Sequence, residues 1–266
     1  MTRRLALGGA AAILAAFLAL PVATLVGRAL GSGGFVAAIG SPVVISALSL
    51  SLATTAASLI LIVTFGTPLA FLLARRRFPG SGLVETVVDL PLVLPPSVAG
   101  LALLLVFGRR GLLGESLDAA GLAVPFTAVA VVFAQVFVAA PFYVRAARAG
   151  IASVPRDLED AARVDGASEP GVFRHVMVPL AAPALAAGLV MSWARSLGEF
   201  GATILFAGNF AGRTQTLPLV VYGEFGGGDL DAAIAAATVL VVAAVAVLVA
   251  VRLGRRGRVL DLASAG

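Results

Sequence analysis

A chain of 266 residues in which apolar side chains make up 60% and charged ones 12%, with a mean hydropathy of +1.05, lacks the polar surface that a soluble domain of that size requires. Its net charge of +5 rests on arginine, because lysine is absent, and cysteine is absent too. Disulfides, thiolate chemistry and cysteine-ligated metals are thereby excluded, and so is a Walker A loop on this chain, whose lysine must reach nucleotide phosphates.

Six apolar runs reach the roughly 20 residues that a helix needs to cross a bilayer core: about 5–27, 43–74, 84–107, 123–149, 180–207 and 229–251. The expected fold class is an all-α membrane protein, one transmembrane domain over 1–266. Thr2-Arg3-Arg4 ahead of the first run imitates a signal peptide, but apolar runs recur along the whole chain, so a cleaved leader is not expected. The second run is longer than a bilayer needs and predicts tilt or extension beyond it. In the third, Leu94-Pro95-Pro96-Ser97 frees carbonyls that must be satisfied by protein or water. A broken helix beside a pathway and an ordinary proline-rich helix start fit that stretch equally well.

Orientation follows from the arginines. With six spans, Arg3, Arg4, Arg75, Arg76, Arg77, Arg145, Arg148, Arg156, Arg163, Arg174, Arg252, Arg255, Arg256 and Arg258 fall on one side; Arg28, Arg109, Arg110 and Arg213 fall on the other. The positive-inside rule makes the first side, with both termini, cytosolic. The high pI therefore reflects topology. A nucleic-acid surface is the weaker reading, since no aromatic residues are interleaved with the scattered arginines.

Between the fourth and fifth runs lies a polar segment, 153–179, where a single turn would have sufficed. Pro155 suits a first helical turn, Leu158, Ala161 and Ala162 mark one helical face, and Gly166 can end the helix at positive φ. Ser168 can then cap a second helix with Glu169 and Pro170 in its first turn and Phe173, Val176 and Met177 as its apolar side. Pro179 and Pro183 are expected to close this hairpin and begin the fifth span. His175, the only histidine, has no second histidine or cysteine with which to build a zinc or facial-triad site. No metal site is expected on the chain.

Arg195 and Glu199 stand four residues apart inside the fifth run, on one helical face, where a charge costs a few kcal/mol unless paired or hydrated. A self-neutralising pair that locks the bundle is weighed ahead of a pathway role in which Arg195 favours an anion and Glu199 prevents its trapping. Ser196, Thr203 and Asn209 extend the polar character towards the outer side, although Ser and Thr in membrane helices more often bond a carbonyl or a neighbouring helix. Arg195, Ser196, Glu199 and Thr203 are the candidate pathway residues. Ser192 and Ser196 near Trp193 do not make a serine hydrolase, for the single histidine lies in the hairpin and no base is within reach. No catalytic residue is expected. After the sixth run, Arg252–Gly266 reads as a short basic tail, so no regulatory domain is expected there.

The hairpin carries a family resemblance. Permease subunits of ATP-binding-cassette importers share a signature of E-A-A, three residues, G, nine residues, I, one residue, L-P. Here Asp160-Ala161-Ala162 is followed at the same spacing by Gly166 and by Val176-Met177-Val178-Pro179. The resemblance implies that the hairpin, with Glu159, Asp160, Ala161, Ala162, Gly166, Ala167, Ser168, Val176 and Pro179, docks on a separate P-loop ATPase. Asp160 in place of Glu shortens the polar contact that position makes. The same resemblance implies two ATPase copies holding ATP and Mg, a second copy of this chain, an extracytoplasmic binding protein and a bacterial or archaeal inner membrane. Leu90–Gly114 and Ala194–Tyr222 resemble the molybdate permease branch; the core ARSLGEFGA is similar in sulfate and thiosulfate permeases, while FGRRG and RTQTLP favour molybdate or tungstate. An ion-coupled secondary carrier is the rival reading, for which paired broken helices or intramembrane carboxylates in matching halves are expected.

Overall fold

Prolines and glycines set where the helices of this chain start, widen and stop. The structure, a computed structural model, describes residues 2–31, 33–76 and 78–264, and the side chains of 7–249 except those at 32, 34, 37 and 77. The side chains of Arg3, Arg4, Arg77, Arg252, Arg255, Arg256 and Arg258, used in the orientation argument, thus lie outside the described residues. Among the described residues every element is helical.

Helix α1 (Thr2–Gly31) and the short α2 (Gly34–Gly40) precede α3 (Pro42–Arg75), a single helix of 34 residues with Pro42 in its first turn, where a missing N–H costs nothing. Next come α4 (Ser81–Val93), α5 (Pro96–Phe107) and α6 (Gly114–Ala119). Helix α7 (Ala128–Ala152) opens on Thr127, whose hydroxyl accepts from the Ala130 N–H at 3.4 Å. The hairpin is built from α8 (Arg156–Val164) and α9 (Glu169–Val172), and a π turn at Phe173–Met177 leads into α10 (Val178–Leu197). Helices α11 (Gly201–Phe206), α12 (Leu217–Gly226) and α13 (Leu230–Ser264) complete the chain.

The core is centred on α7, which α3 and α10 flank. Small residues bring the three together: a methyl group added at Gly188 would lie 2.8 Å from the Ala146 side chain, one at Gly150 only 2.5 Å from that of Ala184, and Gly66 faces Tyr143 and Val144. Between helices in lipid, where burial of apolar surface supplies no net drive, such close approach is what holds the contact.

Among the described residues five helices are long and apolar enough to cross a membrane: within α1, α3, α7, the continuous unit from α9 through α10, and within α13. The third and fifth expected spans are both interrupted. Residues 84–107 divide into α4 and α5 at Leu94-Pro95, because Pro95 and Pro96 cannot donate to the preceding turn. Residues 180–207 divide into α10 and α11 at Gly198-Glu199-Phe200. The two breaks abut, since a methyl at Gly201 would meet the Pro96 side chain at 2.6 Å and one at Gly100 would meet the Ala202 carbonyl at 2.6 Å. The third and fifth spans are not corresponding positions of two three-span halves, so these breaks are not the mark expected of a gradient-driven carrier. A further correction concerns the hairpin's end: Pro179 stands in the first turn of α10 as expected, but neither it nor Pro183 breaks the chain off from the hairpin. The chain stays helical into α10, and the Val178 N–H reaches back five residues to the Phe173 carbonyl. That widened register accommodates the ring and missing N–H of Pro179 without a break.

Candidate functional site

Two polar assemblies stand out, one at the hairpin and one within the bundle. In the hairpin, Gly166 takes φ of +87°, and the turn closes as a Schellman motif, the Ala167 N–H donating to the Ala162 carbonyl at 2.9 Å and the Gly166 N–H to the Arg163 carbonyl at 3.0 Å. Ser168 occupies the N-cap position of α9, but its side chain makes no capping bond; its carbonyl accepts from Val172 instead. Pro155 likewise precedes α8 rather than lying within it.

Arg163 ties the two arms together. Its guanidinium donates to Glu169 Oε1 at 2.7 Å, to Asp160 Oδ1 at 2.7 Å and to Glu159 Oε2 at 3.4 Å. The Glu169 hydrogen bond, reinforced by that of Asp160, holds Arg163 above its ordinary range despite some desolvation, and the same bond holds the exposed Glu169 carboxyl below its ordinary value. Asp160, Ala161, Gly166, Ala167, Ser168 and Pro179 are exposed, Val176 is half-buried, and Ala162, Phe173 and Val176 pack on the core. Leu158 and Val164 leave apolar side chains in the open, Val164 at 87% exposure. His175 is exposed and lies 3.1 Å from the Gly171 carbonyl, and no cluster able to hold a metal occurs among the described residues.

Glu159 differs from its neighbours, being buried. Its Oε1 lies 2.5 Å from Arg75 Nη2, at the last turn of α3, and the same nitrogen donates to the Val154 carbonyl at 2.9 Å. Sequence reasoning missed Arg163 and Arg75 as partners. The first was visible as i, i+3 and i, i+4 spacing to Asp160 and Glu159; the second, 84 positions before Glu159, had no local signal. At the same end, Arg148 pairs with Glu85 at 2.8 Å and Arg145 with Asp89 at 3.6 Å, which ties α4 to α7.

Within the bundle, Arg195 and Glu199 form the ion pair their spacing predicts. Glu199 is buried and Arg195 retains 28% side-chain exposure. Glu199 has a second task that the spacing did not reveal: lying beyond the end of α10, its Oε1 accepts the Ala202 N–H at 2.6 Å and caps α11. Ser196 is buried and accepts from the Ser58 hydroxyl at 3.3 Å, while the Ser192 hydroxyl donates across to the Ala139 carbonyl at 2.8 Å. Thr203 is buried beside them in α11, its hydroxyl without a hydrogen-bond partner among the described residues. A polar stripe of α3, also missed, faces this region. Ser51, Thr54, Thr55 and Ser58 are all buried, and Gln135 Nε2 of α7 donates to Thr54 at 3.2 Å and to Thr55 at 3.4 Å. Their i, i+3, i+4, i+7 spacing was legible; that they faced inward was not.

Comparison with known proteins places this geometry. Residues 66–258 match the family described as binding-protein-dependent transport system inner membrane component. The molybdenum transport system permease protein of Mycobacterium tuberculosis is 45% identical over 84% of this chain and 83% of its own. The sulfate transport system permease protein of Salmonella typhimurium is 36% identical over 81% of this chain and 80% of its own. Among solved structures, a bacterial ABC transporter involved in the import of the acidic polysaccharide alginate superposes with a TM-score of 0.75, covering 96% of both chains at 20% identity, which speaks to the fold alone.

Proposed function

Since this chain belongs to the family of binding-protein-dependent transport system inner membrane components, we propose that it is the permease subunit of an ATP-binding-cassette importer that carries a tetrahedral oxyanion, molybdate or the isosteric tungstate, into the cell. The higher identity to a molybdenum permease than to a sulfate permease, 45% against 36%, supports molybdate as cargo and leaves sulfate the second reading. Family membership also sets aside the ion-coupled carrier.

In this reading the chain crosses the membrane six times, with α4 and α5 together making one crossing and both termini in the cytosol. It pairs with a second copy of itself. Two ATPase subunits supply ATP hydrolysis with Mg, and an extracytoplasmic binding protein delivers the anion. The hairpin carries the proposal: a cytosolic helix with Val164 and Leu158 exposed, fixed by Arg163 and by the Gly166 turn, is a preformed knob for a groove on another protein. Arg195, Ser196, Glu199 and Thr203 sit where two helices break, and non-helical backbone at membrane depth is tolerated where protein or a water-filled cavity satisfies it. Arg195, the partly exposed member, is the one that can meet a passing anion, weakly enough to release it because Glu199 already shares its charge.

The test uses the permease reconstituted in vesicles with its ATPase and binding protein. Molybdate uptake that needs ATP and resists excess sulfate is the expected result; uptake driven by an ion gradient without the ATPase would overturn the reading. Val164→Asp touches nothing inside the chain, so it should release the ATPase while leaving the permease folded. A Val164→Asp permease that still co-purifies with the ATPase and transports normally would remove the docking role of the hairpin.

A further inference from the structure

The hairpin is continuous with α7 at one end and with α10 at the other, where the register widens at Phe173–Met177, and it packs on the core through Ala162, Phe173 and Val176. It meets α3 at the Phe173 ring, edge-on to Phe71, and at the ionic contact of Glu159 with Arg75. Their side chains are only 6% and 9% exposed, and the single nitrogen Nη2 of Arg75 holds both the Glu159 carboxylate and the Val154 carbonyl just ahead of α8. Glu159 is in turn held by Arg163, so Arg75 grips a residue already fixed to both arms of the hairpin.

What Arg75 terminates matters as much as what it grips. Helix α3 runs without interruption from Arg75 back to Ser58, whose hydroxyl meets Ser196, next to Arg195 in sequence, and on to Thr55 and Thr54, which meet Gln135. From Arg75 to Ser58 is about 25 Å of helix at 1.5 Å per residue; Pro68 removes one backbone hydrogen bond within that stretch, but the helix continues through it.

We propose that Arg75 is a positioning residue for transport, the clamp by which movement of the hairpin is handed to α3 and so to the polar seam that α3 shares with α7 and α10. This rests on the hairpin being the ATPase-docking element, and the arms of the test separate the two. Complexes of permease, ATPase and binding protein are reconstituted in vesicles, and molybdate imported per ATP hydrolysed is measured. Arg75→Met combined with Glu159→Gln removes both charges together and strands neither. It should lower the ratio about tenfold, the size expected of a coupling between sites. Arg75→Lys should keep the ratio within about twofold, because one nitrogen makes both the ion pair with Glu159 and the hydrogen bond to Val154, and a lysine ammonium can replace it. An unchanged ratio in the double variant, or a collapsed ratio in Arg75→Lys, would overturn the clamp.

A second measurement does not depend on the double variant assembling. The chain has no cysteine, so spin labels at Leu72→Cys, on the last turns of α3, and Asp157→Cys, on the first turn of α8, report one distance in an otherwise unaltered complex. Their separation should stay within about 2 Å between nucleotide-free and ATP-bound states, and a change beyond about 5 Å, one helical turn, would refute rigid transmission. Val164→Asp keeps the readings apart. If it spares ATPase binding and transport, the docking role fails; if it releases the ATPase while the double variant transports at the normal ratio, only the clamp fails.

Discussion

Arg163 and Arg195 hold carboxylates under opposite conditions. Arg163 reaches three carboxylates at the hairpin while standing in solvent, and Arg195 reaches one buried carboxylate at the abutting breaks of two membrane helices. The first arrangement shapes a turn that the backbone already favours; water and salt can replace each of its bonds. The second has no substitute, for the Glu199 carboxylate is buried and cannot recover its hydration inside the bundle. Identical chemistry therefore refines a shape at one end and sustains a structure at the other.

The largest effect is expected at Glu199, which neutralises Arg195 and caps α11 at once. Glu199→Ala removes both functions and should cost about 3–5 kcal/mol, as breaking a buried pair does, read as a fall in the melting temperature of the detergent-solubilised complex. Glu199→Gln keeps an acceptor for the Ala202 N–H and should lose less. Adding Arg195→Met to Glu199→Gln should recover stability relative to Glu199→Gln alone. Recovered stability with lost molybdate uptake would assign Arg195 to the pathway; recovery of both would assign the pair to structure. A double variant no more stable than the single ones would abolish the contrast with Arg163.

Gly166→Val comes next and acts on the backbone alone, since nothing lies within 4 Å of where its Cβ would stand. A β-branched residue at φ of +87° should cost about 1–2 kcal/mol locally, tilt α8 against α9 and lower molybdate imported per ATP, while Gly166→Asn, at home in that conformation, transports nearly normally. Equal transport by the two variants would mean that the hairpin tolerates another turn.

These two positions also divide what was legible in the sequence from what was not. Gly166 is read locally, because a glycine between a helical face and a Ser-Glu-Pro start fixes a turn within a dozen residues. The Arg195–Glu199 spacing was equally local and gave the ion pair. It did not give the cap, which depends on α10 ending at Leu197, a termination that the continuous apolar run conceals. The break at Leu94-Pro95 was visible as one of two readings, whereas its packing on Gly201 depends on residues more than 100 positions apart. Arg75 and Gln135 escaped for the same reason. An arginine at the end of a span is ordinary under the positive-inside rule, and only tertiary placement sets it against Glu159.

The smallest effect is expected from Arg163, and its smallness is the point of the comparison. Replacing it by glutamine deletes the bonds to Glu159, Asp160 and Glu169 together, more interactions than Arg195 makes, yet each is exposed to water except the one to Glu159, and that carboxylate keeps Arg75. The Schellman bonds around Gly166 do not involve the side chain and stay. Arg163→Gln should therefore leave the melting temperature of the complex essentially unchanged and lower the transport ratio by no more than about twofold. Wild type and variant should also converge as ionic strength rises, because screening weakens in the wild type what the substitution has already removed. The measurement is the ratio of molybdate imported to ATP hydrolysed, at low and at high salt, for both. A loss in Arg163→Gln as large as that in Glu199→Ala, insensitive to salt, would show that the three carboxylates cannot coexist at the hairpin without their arginine. In that case burial would not be what separates the two sites; carboxylate repulsion within the hairpin would have to be placed beside it.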